Sequence, residues 1–310
     1  MSAGSPIPAG HTQGAHGASL PADYHTHTYR CGHAVGTAAD YVDAALARGL
    51  AGIGVCDHLP LIGRRDAGIT MDVADLDEYV QEVLALRRTH PDYVLLGIEA
   101  DYEPETIDEV RGLLDSYPFD YVIGSVHFLD GWGFDNPEHA EGWDTHHVSD
   151  IYLRYFELVG EAAESGAFTV LGHLDLVKKL GHRPRRQPWK AMQVLVDRIA
   201  RAGVTVEINT AGLRKPVAEM YPSADFLGLL RRGGVQLTFG SDAHRPEEVG
   251  TDFAAAVALA RSAGYTEYVH LEPREKAGRA RFTTRSLPNL PPDPAIPTEP
   301  GGTTLVTGTR

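Results

Sequence analysis

Cysteine is scarce. Cys31 and Cys56 are the only two in 310 residues, and neither belongs to a CxxC motif. A disulfide framework and a four-cysteine structural zinc site therefore have no support, and two lone thiols read as packing or ligand-supporting residues kept reduced in a cytosol. Long apolar runs are missing as well. No stretch reaches 18 apolar residues, which excludes a membrane-spanning helix. The first 20 residues carry neither a basic start nor an apolar stretch, so no secretory leader is expected and a cytoplasmic location follows. No GxGxxG follows the first apolar run, so a dinucleotide fold has no support, and no repeat of solenoid period occurs. Basic residues are the minority, 28 Lys and Arg against 42 Asp and Glu, for a formal charge of −14. That balance argues against nucleic acid as the main partner.

Length and a 43% hydrophobic share are enough for a sizeable core. Residues 1–20 hold Gly, Ala, Ser and Pro without apolar periodicity and read as a disordered extension, with His11 and His16 as solvated tail residues. Residues 286–310, rich in Pro, Thr and Gly, read as a flexible tail, which leaves a single domain over 21–285. Within it, short apolar runs at 22–25, 51–56, 93–100, 121–126, 168–171, 204–208 and 236–240, with a weaker one at 267–271, alternate with longer segments. Those segments, at 38–48, 73–89, 105–116, 150–165, 188–202, 224–232 and 246–262, have helical spacing, and Gly203, Gly233 and Gly264 follow three of them as stops. Strand and helix alternating seven times predict a parallel α/β fold, most simply a closed barrel of the TIM-like kind, with an open doubly wound sheet as the alternative.

Histidine is the residue in excess, at 15, and its placement is ordered. Run one ends in His25-Thr26-His27, run two in Asp57-His58, run three in Glu99-Ala100-Asp101 and run four in His127. Run five ends in His173-Leu174-Asp175, run six carries Glu207 and Asn209, and run seven ends in Asp242-Ala243-His244. In a parallel barrel the C-terminal strand ends form the active-site rim. His25 and His27, at i and i+2, face the same way and can share one ion. Imidazoles and carboxylates gathered on one rim are costly unless something satisfies them, and divalent Zn, Fe or Mn does so.

The runs His25-Thr26-His27, Cys31-Gly32-His33-Ala34, Asp57-His58, Gly97-Ile98-Glu99-Ala100-Asp101, Gly124-Ser125-Val126-His127, Gly172-His173-Leu174-Asp175 and Gly240-Ser241-Asp242-Ala243-His244 resemble the polymerase-and-histidinol-phosphatase (PHP) superfamily. Two stretches, FDYVIGSVHFLDGWGFDNP and EINTAGLRKPVAEMYPS, resemble its histidinol-phosphate phosphatases. The resemblance spans roughly residues 22–285. It implies a distorted seven-stranded (β/α) barrel with two to three divalent ions. His25, His27, Glu99 and Asp242 match a first metal position, Glu99, His127 and His173 a second, and His33, His58 and His244 a third. Glu99 would bridge two ions, as a carboxylate with two oxygens can. Gly32 permits a tight turn that returns His33 to the rim.

The activity so implied is hydrolysis of L-histidinol phosphate to L-histidinol and phosphate by a metal-activated hydroxide, water bound to such ions having a pKa of about 7. The hydroxide would be held between the first two ions through Glu99, His127, His25 and His27, Arg214 would neutralise the phosphoryl oxygens, and Lys178, Lys179 and Lys215 are further cations near the rim. Asp242 and a metal-bound water are both open as general acid. Asp57, Asp101 and Asp175 each adjoin an expected ligand and can orient it. The long segment 128–147, with Trp132, Phe134 and Trp143, is either a lid or a packed surface loop. His90, His139, His146, His147, His182 and His270 fall off the strand-end pattern and are expected to take no catalytic part. Three rivals remain: a PHP phosphoesterase for another small phosphate monoester or nucleotide, a nuclease, and a module with a decayed site. Acidic balance weighs against the second and the complete ligand set against the third.

Overall fold

The computed structural model describes residues 19–63, 69–273 and 281–290. Most of the expected N-terminal extension, with His11 and His16, and residues 291–310 lie outside them. In chain order the strands are β1 (Ile53–Val55), β2 (Val94–Leu96), β3 (Glu99–Asp101), β4 (Ile123–Ser125), β5 (Phe128–Leu129), β6 (Trp132–Gly133), β7 (Val170–Leu171), β8 (Thr205–Asn209), β9 (Leu237–Gly240), β10 (Glu267–Glu272) and β11 (Arg281–Ser286). The α-helices are α1 (Ala38–Arg48), α2 (Leu76–Thr89), α3 (Ile107–Asp115), α4 (Val148–Ser165), α5 (Trp189–Ala202), α6 (Ala224–Arg232) and α7 (Phe253–Ser262).

Local chemistry sets the helix ends. Thr37 and Asp40 form a reciprocal capping box ahead of α1, and Gly49 closes it in the left-handed region, where glycine carries no Cβ penalty. The inward face of α1 buries Tyr41, Val42 and Ala45. The segment expected as one helix over 246–262 is broken: a 3-10 turn, Pro246–Glu248, precedes α7, and positive φ at Gly250 and Asp252 interrupts the helical path between them.

Strands β3, β4, β7, β8 and β9 pair in that order, all in parallel. β1 and β2 pair in parallel beside them. The run expected at 93–100 divides into β2, bonded to β1, and β3, bonded to β4, with a parallel bridge from His58 to Glu99 joining the two groups. The run expected at 22–25 is not a continuous strand; it is carried by parallel bridges Asp23–Ile53 and Thr26–Ala243. Its backbone bonds to both neighbours: Gly54 N–H donates to the Asp23 carbonyl at 2.8 Å, and His27 N–H to the Ala243 carbonyl at 2.8 Å.

Tyr121 fills the space between β1 and β2. A Cβ at Gly54 would lie 1.9 Å from its hydroxyl and one at Gly97 2.3 Å from its ring, so both positions require glycine. Tyr24, Tyr121, Ile123, Val170 and Leu271 belong to a small buried cluster that contains no helix residue, distinct from the main core that the helices share. β10 pairs antiparallel with β11, and Leu287 beyond it is buried. The Arg261 guanidinium holds the Leu287 carbonyl at 2.7 Å and Asn289 Oδ1 at 2.9 Å. The chain expected to leave the domain at Ser286 thus stays attached to it as far as Asn289.

Candidate metal centre

Glu99, which follows the end of β2 and opens β3, is the hub of the polar cluster. Glu99 Oε2 lies 3.0 Å from His58 Nδ1, 3.2 Å from His25 Nε2 and 3.4 Å from His27 Nε2. Its Oε1 lies 3.1 Å from His173 Nε2 and 3.8 Å from His127 Nε2, and accepts from the Ser125 hydroxyl at 2.5 Å. Asp242 Oδ1 is 3.2 Å from His27 Nε2. It is carried on a non-glycine residue with φ of 51°, in the left-handed region, the kind of strain that collects at functional sites. Gly32 has φ of 80°, and the turn it makes carries His33 Nε2 to 2.9 Å from His244 Nε2.

Four rings have their inward nitrogen selected from outside. His25 Nδ1 lies 2.9 Å from Glu207 Oε1, and His127 Nδ1 2.8 Å from Asp101 Oδ1. His33 Nδ1 donates to the Cys31 carbonyl and His244 Nδ1 to the Asp242 carbonyl, both at 3.0 Å. Carboxylates and carbonyls only accept, so each Nδ1 carries a proton and each Nε2 faces the centre.

Burial pushes the Glu99 and Asp242 carboxyls up, but facing imidazoles, His25 foremost, hold both well below the usual carboxylate range. Burial pushes His27 down, yet Asp242 and Asp57 outweigh it and raise it to about 9. Likewise Asp101 raises His127 to about 10 against its burial. His244, buried and beside His27, falls to about 3. The ionised carboxylates thus favour protonation of His25, His27 and His127, where a proton competes with a cation, while burial disfavours it at His33, His58 and His244.

The donor set fits divalent metal. His25 Nε2, His27 Nε2 and Glu99 Oε2 are buried without a hydrogen-bond partner, which a cation would supply. Compact trios of donor atoms form from His25, His27 and Glu99, from His25, His173 and Asp242, and from Glu99, His127 and His173. His33, His58 and His244 are divided differently from expectation. His27, His58 and His244 make one trio and Cys31, His33 and His244 another, because His58 turns its Nδ1 to Glu99.

Other expectations are corrected by the packing. Lys178 is 2% exposed and bound to Asp175 Oδ2 at 2.9 Å, Glu219 Oε2 at 2.8 Å and the Met220 carbonyl at 2.7 Å, so it is not free for substrate. Lys179 is paired with Asp135 at 2.7 Å. Asp175 holds Lys178 and the Ser223 N–H, not the His173 ring. Arg214 Nη2 donates to the Ser241 carbonyl at 2.8 Å, next to Asp242, while its Nη1 is buried and unpartnered. The 128–147 segment is a packed loop: β5 pairs with β6, and Trp143 is buried and stacks on His182 at 4.3 Å. His270 is buried on β10 against Tyr24, outside the trios. The strand-end pattern includes Glu207 without giving it a role, and it misses Ser125. A charge inside an apolar strand and a hydroxyl two residues before His127 are the available signals.

The family model of the PHP domain matches residues 23–211. A protein of Deinococcus radiodurans named "Probable histidinol-phosphatase" is 44% identical over 78% of this chain and 93% of its own length. The histidinol-phosphatase of Bacillus subtilis is 27% identical over 75% of this chain and 97% of its own. The crystal structure of a Lactococcus lactis histidinol phosphate phosphatase, complexed with zinc, L-histidinol and phosphate, shares the fold with a TM-score of 0.69 at 23% identity, covering 81% of this chain and 97% of that one.

Proposed function

The chain belongs to the PHP family, and from that premise we propose that it is a histidinol-phosphatase, hydrolysing L-histidinol phosphate to L-histidinol and phosphate in histidine biosynthesis. Similarity to named histidinol-phosphatases over most of their length supports the activity. The observation that carries the chemistry is Glu99, whose two oxygens face five imidazoles at 3.0–3.8 Å. We read the parallel pairings, with residues 20–27 bridging β1 on one side and Ala243 on the other, as a distorted seven-stranded barrel over 21–285.

Two to three ions of Zn, Fe or Mn would be held by His25, His27, Glu99 and Asp242, by Glu99, His127 and His173, and by His33, His58 and His244. Bound there, they would supply Lewis-acid polarisation of the phosphoryl group and lower the pKa of water to about 7. The chain's own residues do the rest. Asp101 fixes His127 with Nε2 inward, and Ser125 fixes the Glu99 carboxylate. Asp242, held ionised beside His25 and His27, would serve as a ligand to a cation. Arg214, anchored through Nη2, offers Nη1 to a phosphoryl oxygen, where a charged donor strengthens as negative charge develops. No described helix is long and apolar enough to cross a membrane, and we place the enzyme in the cytoplasm.

The test is phosphate release from a panel of monoesters by metal-stripped protein, with Zn, Fe(II) or Mn added back. The expected result is metal-dependent turnover that favours L-histidinol phosphate over nucleoside monophosphates. Equal or better turnover of a nucleotide would move the substrate elsewhere in the family, and no turnover with full metal uptake would end the reading.

A further inference from the structure

Glu207 does more than select the His25 tautomer. It lies in the middle of β8, a strand buried along its whole length, and is itself 1% exposed. A carboxylate there is costly unless it is fully hydrogen-bonded. Three partners meet that need. His25 Nδ1 lies 2.9 Å from Oε1 and 3.0 Å from Oε2. The His173 backbone N–H donates to Oε1 at 2.8 Å, and the Asn209 side-chain amide donates to the same oxygen at 2.8 Å. The remaining side is closed by Gly240, where a Cβ would sit 2.2 Å from Oε2 and 2.7 Å from His25 Cβ. The sequence thus leaves room for this carboxylate by placing glycine opposite it.

We infer that Glu207 is a positioning residue that holds ligands of two metal positions at once. Through the Nδ1–H it fixes the His25 ring so that Nε2 faces Glu99 Oε2, 3.2 Å away. Through the backbone N–H it fixes the start of the turn that presents the His173 ring to Glu99 Oε1. A buried anion behind an imidazole also makes the opposite nitrogen a stronger donor to metal. His25, His173 and Asn209 belong to the first two positions or to β8 itself, not to the His33, His58 and His244 group, so the third position lies outside the reach of these bonds. This inference rests on the metal-centre reading above, and its test separates the two.

The variant is Glu207→Gln, which keeps an oxygen for the His173 and Asn209 donors and removes the charge. Metal-stripped protein is titrated with Zn²⁺ alone, with ions retained per chain counted after dialysis, and unfolding of the metal-free protein is followed in parallel. Zinc affinity at two positions is expected to fall 10- to 100-fold, the range for lost partners of metal-bound imidazoles, with the third unchanged. The metal-free variant is expected to fold with a lower melting temperature than wild type, because the buried Glu207–His25 pair is broken. Glu207→Asp, which keeps the charge but is one methylene shorter, should also bind zinc more weakly. It supplies the affinity measurement if the glutamine variant does not fold. Wild-type zinc affinity in both variants would overturn the positioning role while leaving the metal centre intact. Zinc affinity falling equally at all three positions would make Glu207 a general structural residue. Failure of the wild-type protein to take up zinc would overturn the metal centre and this inference with it.

Discussion

His33 and His244 meet Nε2 to Nε2 at 2.9 Å, although 211 residues separate them. Each Nδ1 donates to a carbonyl, so two Nε2 lone pairs converge on one point, where they can share a cation. A divalent cation satisfies both nitrogens. His33→Ala is therefore expected to lose one ion per chain and keep those held around Glu99, as read by elemental analysis after dialysis. An unchanged ion count would detach His33 from the centre.

Glu99→Gln tests the hub. An amide cannot offer two anionic oxygens to two cations, so several kcal/mol of charge stabilisation is lost. At 1.36 kcal/mol per tenfold, kcat should fall by about a thousandfold or more. Circular dichroism of the variant should match wild type, because the removed charge is not what packs β3. Full turnover with full metal content would remove Glu99 from the bridge.

The strand-end pattern makes most of this centre legible in the sequence. His25 and His27 share a face by period-two alternation alone, and α1 and α6 end where Gly49 and Gly233 stand, because caps are local chemistry. What is not legible depends on contacts between distant strands. The expected first strand is replaced by bridges, because Asp23 meets Ile53 and Thr26 meets Ala243 each at a single point. Glu207 stands out as a charge in an apolar run, but its tie to His25 crosses 182 residues. Lys178 reads as a free cation in the sequence because its partner Glu219 arrives from the loop after β8.

Lys178→Met would leave Asp175, nearly buried, without its cation, and Glu219 with Arg183 alone. Breaking a buried pair in this way costs about 3 kcal/mol or more. Denaturant titration should show that loss, while KM for the phosphorylated substrate changes little in the folded fraction. A stable variant with a raised KM would return Lys178 to substrate binding.

His270 gives the fold an acid-sensitive point away from the metals. It is 3% exposed, its Nδ1 lies 2.9 Å from the Tyr24 hydroxyl, and burial, with Arg285 adding to it, lowers it to about 4. A folded pKa below the ordinary value of about 6.5 means that the unfolded chain binds the extra proton first. Stability from this group is thus complete above about pH 6.5 and drains as pH falls toward 4, at up to 1.36 kcal/mol per pH unit. In metal-free protein, His270→Gln should flatten the fall of melting temperature between those pH values relative to wild type. Parallel curves for the two proteins would show that His270 does not titrate on unfolding.

Arg214 separates substrate recognition from metal chemistry. Its Nη2 is anchored on the Ser241 carbonyl, one residue before Asp242, and its Nε stands 3.7 Å from Glu248 Oε1. Glu248 in turn accepts the His244 N–H at 3.0 Å, so the guanidinium is oriented by the segment that carries two expected ligands. Nη1 remains buried with no partner, a donor waiting for an acceptor. If that acceptor is a phosphoryl oxygen, Arg214→Ala should retain its metals and lose about 2–4 kcal/mol of transition-state stabilisation. That corresponds to roughly a 30- to 1000-fold fall in kcat/KM. Arg214→Lys should recover only part of the loss, since an ammonium cannot hold the Ser241 carbonyl and a phosphoryl oxygen with one planar fork. Wild-type kcat/KM in the alanine variant would place phosphate recognition on other residues, and loss of metal from that variant would make the guanidinium a support for the Asp242–His244 turn.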